Sequence, residues 1–141
     1  MVFVKKFNKK QMKTLLTLFV LFFSSSLYSK DNWVYFGFSD NGTTETTMYV
    51  DYNQVDKRNG FLIGVLLFDF SPKIEGVIGS LKFLKKYDCG DAKSKLLRTI
   101  YYDGQMGEGD VFDDDTENES WEYLMPNSNE YALLETLCLK F

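Results

Sequence analysis

Histidine is absent from the 141 residues. No other side chain titrates unperturbed near neutral pH, so Ser/His, Cys/His and His–metal constellations are excluded together. Proline occurs twice and glycine ten times, which excludes a collagen-like or Pro/Gly-rich disordered chain. The longest apolar run covers positions 15–23, well short of the roughly 20 residues a membrane-spanning helix needs. Cysteine also occurs only twice, at Cys89 and Cys138. What is abundant is aromatic surface, 17% of the residues, within a chain that is 45% hydrophobic. That composition supports a single domain with a modest core.

The N-terminus reads as an export signal. Lys5, Lys6, Lys9, Lys10 and Lys13 precede the apolar run Leu15–Phe23, and Ser24-Ser25-Ser26-Leu27-Tyr28-Ser29 follows it. A basic head, a short apolar middle and a small-residue end are the parts of a secretory signal peptide. We expect residues 1–29 to be removed, with cleavage after Ser29 or Ser26, in preference to an uncleaved anchoring segment. No cysteine lies in this stretch, so lipoprotein processing is not expected. Residues 30–141 then carry 11 basic and 20 acidic side chains, a net charge of −9. A domain so acidic repels phosphate backbones, so nucleic acid is not an expected partner. Periplasm, cell surface and medium all remain open as destinations.

Both cysteines lie in the exported part, where thiols meet an oxidising compartment. One intramolecular bridge is the leading expectation, with two free thiols or an intermolecular bridge as alternatives. Closing a loop of this size contributes about 4 kcal/mol on the chain-entropy model.

Strand patterns dominate from position 33 onward. Runs at 33–38, 46–51, 61–70, 80–87 and 95–102 are rich in β-branched and aromatic residues, and Trp121–Leu124 adds a possible sixth. Asn59-Gly60 favours a tight hairpin turn. The run from Phe61 to Phe70 is apolar at nearly every position, which predicts protein cover on both faces and hints at a dimer. Ser71-Pro72 is expected to end it. In the fourth run, alternation places Lys82 and Lys86 on one face and Leu81, Phe83 and Tyr87 on the other. At the C-terminus the period changes. Asn127 and Glu130 read as a capping box, and Tyr131, Leu134, Cys138 and Phe141, with Leu133 and Leu137, form a helical apolar stripe. The expected fold is α+β: one antiparallel sheet of five to six strands, with a C-terminal helix packed on it and tied by a disulfide.

Three clusters invite functional readings. Gly104-Gln105-Met106-Gly107-Glu108-Gly109 is glycine-rich, but its spacing matches no phosphate-binding loop and it lacks a lysine, so a bent loop is expected. Asp110, Asp113, Asp114, Asp115, Glu117 and Glu119 lack the register of a calcium loop, and a solvated mobile loop is expected. Lys82, Lys85, Lys86, Lys93, Lys95 and Arg98 are six of the 11 basic residues after position 29, set within 17 positions. On an acidic domain such a cluster is a candidate partner-binding surface for an acidic protein or polyanion. The alternative is a solvated edge that discourages strand pairing. No catalytic residue, cofactor site or resident metal is expected.

Tyr49-Val50-Asp51, Ser80, Tyr87-Asp88-Cys89, Tyr102-x-Gly104-x-Met106-Gly107-x-Gly109, Trp121, Met125-Pro126-Asn127-Ser128 and the closing Leu137-Cys138 occur in an order that resembles the surface-adhesin protein E family. The resemblance runs from Trp33 to Cys138. It implies a small exported bacterial binding module that forms homodimers and adheres to host extracellular-matrix or plasma glycoproteins. A periplasmic structural or inhibitor protein that meets a bacterial partner is the alternative, and a calcium-dependent protein or enzyme using the acidic run is a third.

Overall fold

The chain divides into two units, Met1–Asp31 and Asn32–Phe141. The computed structural model describes residue 9 and residues 31–115 and 120–141. The expected signal peptide at 1–29 therefore lies outside the described residues, save Lys9, as do Glu117 and Glu119 of the acidic run. None of the described helices is long and apolar enough to cross a membrane.

The second unit is one antiparallel sheet with a single C-terminal helix, as the sequence pattern predicts. Its strands are β1 (Val34–Asp40), β2 (Glu45–Val50), β3 (Asp56–Arg58), β4 (Phe61–Ile74), β5 (Ile78–Asp88), β6 (Lys93–Tyr102), β7 (Val111–Asp115) and β8 (Glu122–Tyr123). Six of them lie in the order β1-β2-β4-β5-β6-β7, with β3 beside β4 and β8 beside β6. The Asn59-Gly60 hairpin forms as expected, both residues taking positive φ between β3 and β4. Helix α1 spans Asn129–Lys140.

Three expectations need correction. The acidic run is not wholly a loop: Val111–Asp115 pairs with β6 as an edge strand, which acids tolerate because its side chains stay largely in water. Ser71-Pro72 does not end the third run. Regular pairing with β5 ends at Asp69, but β4 continues to Ile74, which pairs with Ile78 beyond the irregularity. The helix cap is Ser128, one residue later than expected. Its hydroxyl accepts the Tyr131 N–H at 3.1 Å, which frees Glu130 to reach the sheet.

The core lies between α1 and one sheet face. Leu133, Leu134 and Leu137 pack against Val50, Leu62, Leu66 and Tyr87, all 3% exposed or less. Each buried leucine contributes about 1.5–3 kcal/mol relative to exposure. The apolar stripe thus centres on these leucines; Phe141 is exposed at its end. The helix is held at both ends. Asn129 lies over Gly37 and donates its amide to the Phe38 carbonyl at 3.2 Å. At the far end Cys138 is bonded to Cys89, closing a sequence separation of 49.

Among the described residues no α-helix lies on the other face of the sheet. Leu67 is fully buried there, with the Gly104–Gly109 loop folded back against it, but Ile63 and Val65 stay half-exposed. Cover on both faces of β4 is thus confined to its middle. The glycine-rich segment is a bent loop, as expected. The Ser80 hydroxyl donates to the Gly104 carbonyl at 2.6 Å and accepts the Gly107 N–H at 2.9 Å, and Asp69 accepts the Met106 N–H at 2.7 Å. A side chain at Gly79 would sit 2.5 Å from the Gly104 carbonyl, so only glycine lets the loop close.

Candidate partner-binding surface

Register decides which of the six clustered cations share a face. Along β5, Lys82, Leu84 and Lys86 point away from the helix, while Phe83, Lys85 and Tyr87 point toward it. Lys85 is therefore separated from the others. It forms an ion pair with Glu130 on the helix, and both side chains are largely buried. The same Glu130 accepts the Tyr87 hydroxyl at 3.1 Å. Burial first, and then the neighbouring Glu130 carboxylate, push the Tyr87 hydroxyl well above its ordinary titration range. Lys85 is committed to holding the helix.

On β6 the pairing shifts between Leu84 and Lys85, so that Lys85 opposes Leu96 while Leu84 opposes Arg98. Leu97 is the extra residue of this bulge. Through it Arg98 joins Lys93 and Lys95 on the open face, with Lys82 and Lys86. Five of the six cations thus stand on one surface.

Four of the five rest against carboxylates or rings. Arg98 forms a two-pronged pair with Asp114 of β7, its Nε 2.7 Å from Oδ1. That hydrogen bond raises the guanidinium's already high pKa and lowers the Asp114 carboxyl. Lys93 is 3.8 Å from Asp88 and 3.5 Å from Asp91. Lys82 lies 5.4 Å from the ring centres of both Trp33 and Tyr102. Lys86 lies 4.5 Å from the Phe61 ring centre and 5.9 Å from that of Trp121, which also carries Lys93 at 5.2 Å. The surface is a set of ammonium groups resting on aromatic faces, an arrangement worth about 0.5–1 kcal/mol per exposed contact. Trp33, Phe61, Tyr102 and Trp121 are its uncharged half. Sequence patterning did not assign them there, because Phe61 and Trp121 meet only after the chain returns from β7 to β8.

Beside this face, Asp69 has its carboxyl pushed upward by burial, partly offset by the Met106 N–H it accepts. Among the described residues no three His, Cys, Asp or Glu side chains gather as a cation site.

With this geometry established, comparison with known proteins settles the family. The model of the surface-adhesin protein E family matches residues 33–139. The chain belongs to the surface-adhesin protein E family. No curated protein matches it. Among solved structures it is similar to Haemophilus influenzae protein E, with 16% sequence identity and a TM-score of 0.55 over 82% of this chain and 92% of that one. A second crystal form of that protein gives a TM-score of 0.54 at 16% identity, over 67% of this chain and 81% of the other. At such identity the likeness establishes the shared fold. The residues that carried the family resemblance are fold-making ones. Asp51 caps a short 3-10 turn by accepting the Asn53 N–H at 2.9 Å, Ser80 pins the glycine loop, Tyr87 and Ser128 seat the helix, and the cysteines bridge. Of the cationic face, Tyr102, Trp121 and the Asp88 beside Lys93 belong to that set.

Proposed function

We propose that this family member is an exported binding module whose open sheet face meets an acidic partner, acting as an adhesin for host extracellular-matrix or plasma glycoproteins. The observation that carries this reading is the gathering of Lys82, Lys86, Lys93, Lys95 and Arg98 on one face of a domain with net charge −9, in a chain of this family. Such a contrast orients acidic partners toward one surface and speeds encounter at low salt. Lys85 takes no direct part, because Glu130 holds it. Removal of residues 1–29 and assembly as a homodimer belong to the same reading.

The test has two arms. Intact cells are treated with protease, and the mature N-terminus is read by mass spectrometry. Loss of the protein from intact cells, with a start near Lys30, supports surface display. A protected protein favours the periplasmic structural or inhibitor reading. Surface plasmon resonance against matrix glycoproteins at rising salt then tests the contact, which should weaken as exposed charges are screened over about 8–10 Å.

A further inference from the structure

Lys86 and Lys95 stand directly opposite each other on β5 and β6. Directly opposed side chains in an antiparallel pair have Cβ atoms about 4.5–5.5 Å apart, and like charges at that spacing repel. The other cations of the face have answers to their charge: Arg98 has Asp114, Lys93 has Asp88 and Asp91, and Lys82 rests against Trp33 and Tyr102. For Lys86 and Lys95 there is no carboxylate within ion-pair distance among the described residues. The Lys86 ammonium instead rests on Phe61, whose ring centre is 5.5 Å from that of Trp121 at an interplanar angle of 33°. Both rings are half-buried and present part of their surface to solvent.

We infer that Lys86, Lys95 and the Phe61–Trp121 ring pair form a binding site for an anionic saccharide. This deepens the reading of the open face as a binding surface and rests on it. A carboxylate or sulfate placed between the two ammonium groups turns a repulsion into two charge-assisted hydrogen bonds. The rings beside it offer an apolar floor for the C–H face of a sugar, a use that an inorganic anion or a flexible acidic peptide leaves unfilled. Lys93, over the same Trp121 ring, adds a third positive group at the border.

Calorimetry of the purified protein tests the site with four probes at fixed ionic strength: a sulfated uronate hexasaccharide, an unsulfated uronate hexasaccharide, a neutral hexasaccharide and poly-glutamate. Emission from Trp121 in a Trp33→Phe background reports contact with the ring. At least one of the two anionic sugars should bind saturably and change that emission, and the pair of them separates sulfate from carboxylate recognition. Lys86→Gln and Lys95→Gln should each weaken binding at least tenfold, and Lys140→Gln, on the helix, should not. Lys95→Gln should also melt no lower than the parent, because it removes one of two opposed charges; should Lys86→Gln fail to fold, Lys95→Gln carries the test. Equal binding of poly-glutamate or of the neutral sugar, parent-like binding by either variant, or no binding of any anionic sugar overturns the proposal. Sugar binding by a protein that intact cells shield from protease would sink the surface reading and leave this site standing.

Discussion

Tyr87 donates its hydroxyl to Glu130 across 3.1 Å, joining the most buried aromatic of the sheet to the first turn of the helix. Lys85 pairs with the same carboxylate, so one helix residue answers two groups that would otherwise be buried without partners. Glu130→Ala should destabilise the fold by about 1–3 kcal/mol, the usual cost of orphaning buried polar groups. Glu130→Gln keeps an acceptor for Tyr87 and should lose less. Urea denaturation of the two variants measures the difference, and equal losses would show that the Lys85 charge pair dominates.

The helix cap can be tested at two adjacent positions. Ser128→Ala removes the acceptor of the Tyr131 N–H and should cost about 1 kcal/mol. Asn127→Ala should cost far less. The reverse order in thermal melts would return the cap to Asn127.

Opening the Cys89–Cys138 bridge releases a separation of 49 residues. Either cysteine replaced by serine should lower stability by about 4 kcal/mol on the chain-entropy model. That loss corresponds to more than about 10 °C in melting temperature. Calorimetry with and without reductant provides the same comparison on the parent chain, and coincident transitions would remove the bridge from the account of what holds the helix.

Asp69 supplies a pH signature. Its folded pKa lies above the ordinary 3.8 because burial disfavours the carboxylate, so the charged form costs stability above the folded pKa. As pH falls through that value toward 3.8 the carboxyl takes up a proton in the folded state, and the cost disappears. Asp69→Asn, whose amide oxygen still accepts the Met106 N–H, should therefore raise the melting temperature at pH 7. The gain should vanish below the unfolded value. A gain that persists in acid would mean that the effect is not electrostatic.

The main strands were legible because β-branched and aromatic runs of this length have few other uses, and the disulfide because two cysteines allow one intramolecular pairing. Val111–Asp115 was not, since three consecutive acids read as solvated whether or not their backbone pairs. The cap was misplaced by one residue because Asn127 and Ser128 are both good caps, and only the folded backbone, which brings the Tyr131 N–H to the Ser128 hydroxyl, distinguishes them. For the candidate surface, strict alternation along β5 already sets Lys85 apart from Lys82 and Lys86. Nothing in the sequence marks Leu97 as the residue that realigns Arg98, because a bulge arises from how two strands meet.

That bulge makes the charge pattern of β6 a matter of parity. Lys93 and Lys95 are odd-numbered and Arg98 is even, yet all three share a face because one residue between them is not counted in the pairing. Replacing Leu97 changes a side chain; deleting it changes the count. A deletion would set Leu96 next to Arg98 in plain alternation, with the lysines and Arg98 still on the open face and Ser94 and Thr99 still toward the helix, where they lie buried. What holds Arg98 on the open face is therefore that Leu97 stays out of the pairing: drawn into the ladder as a paired residue, it would turn Arg98 toward the helix.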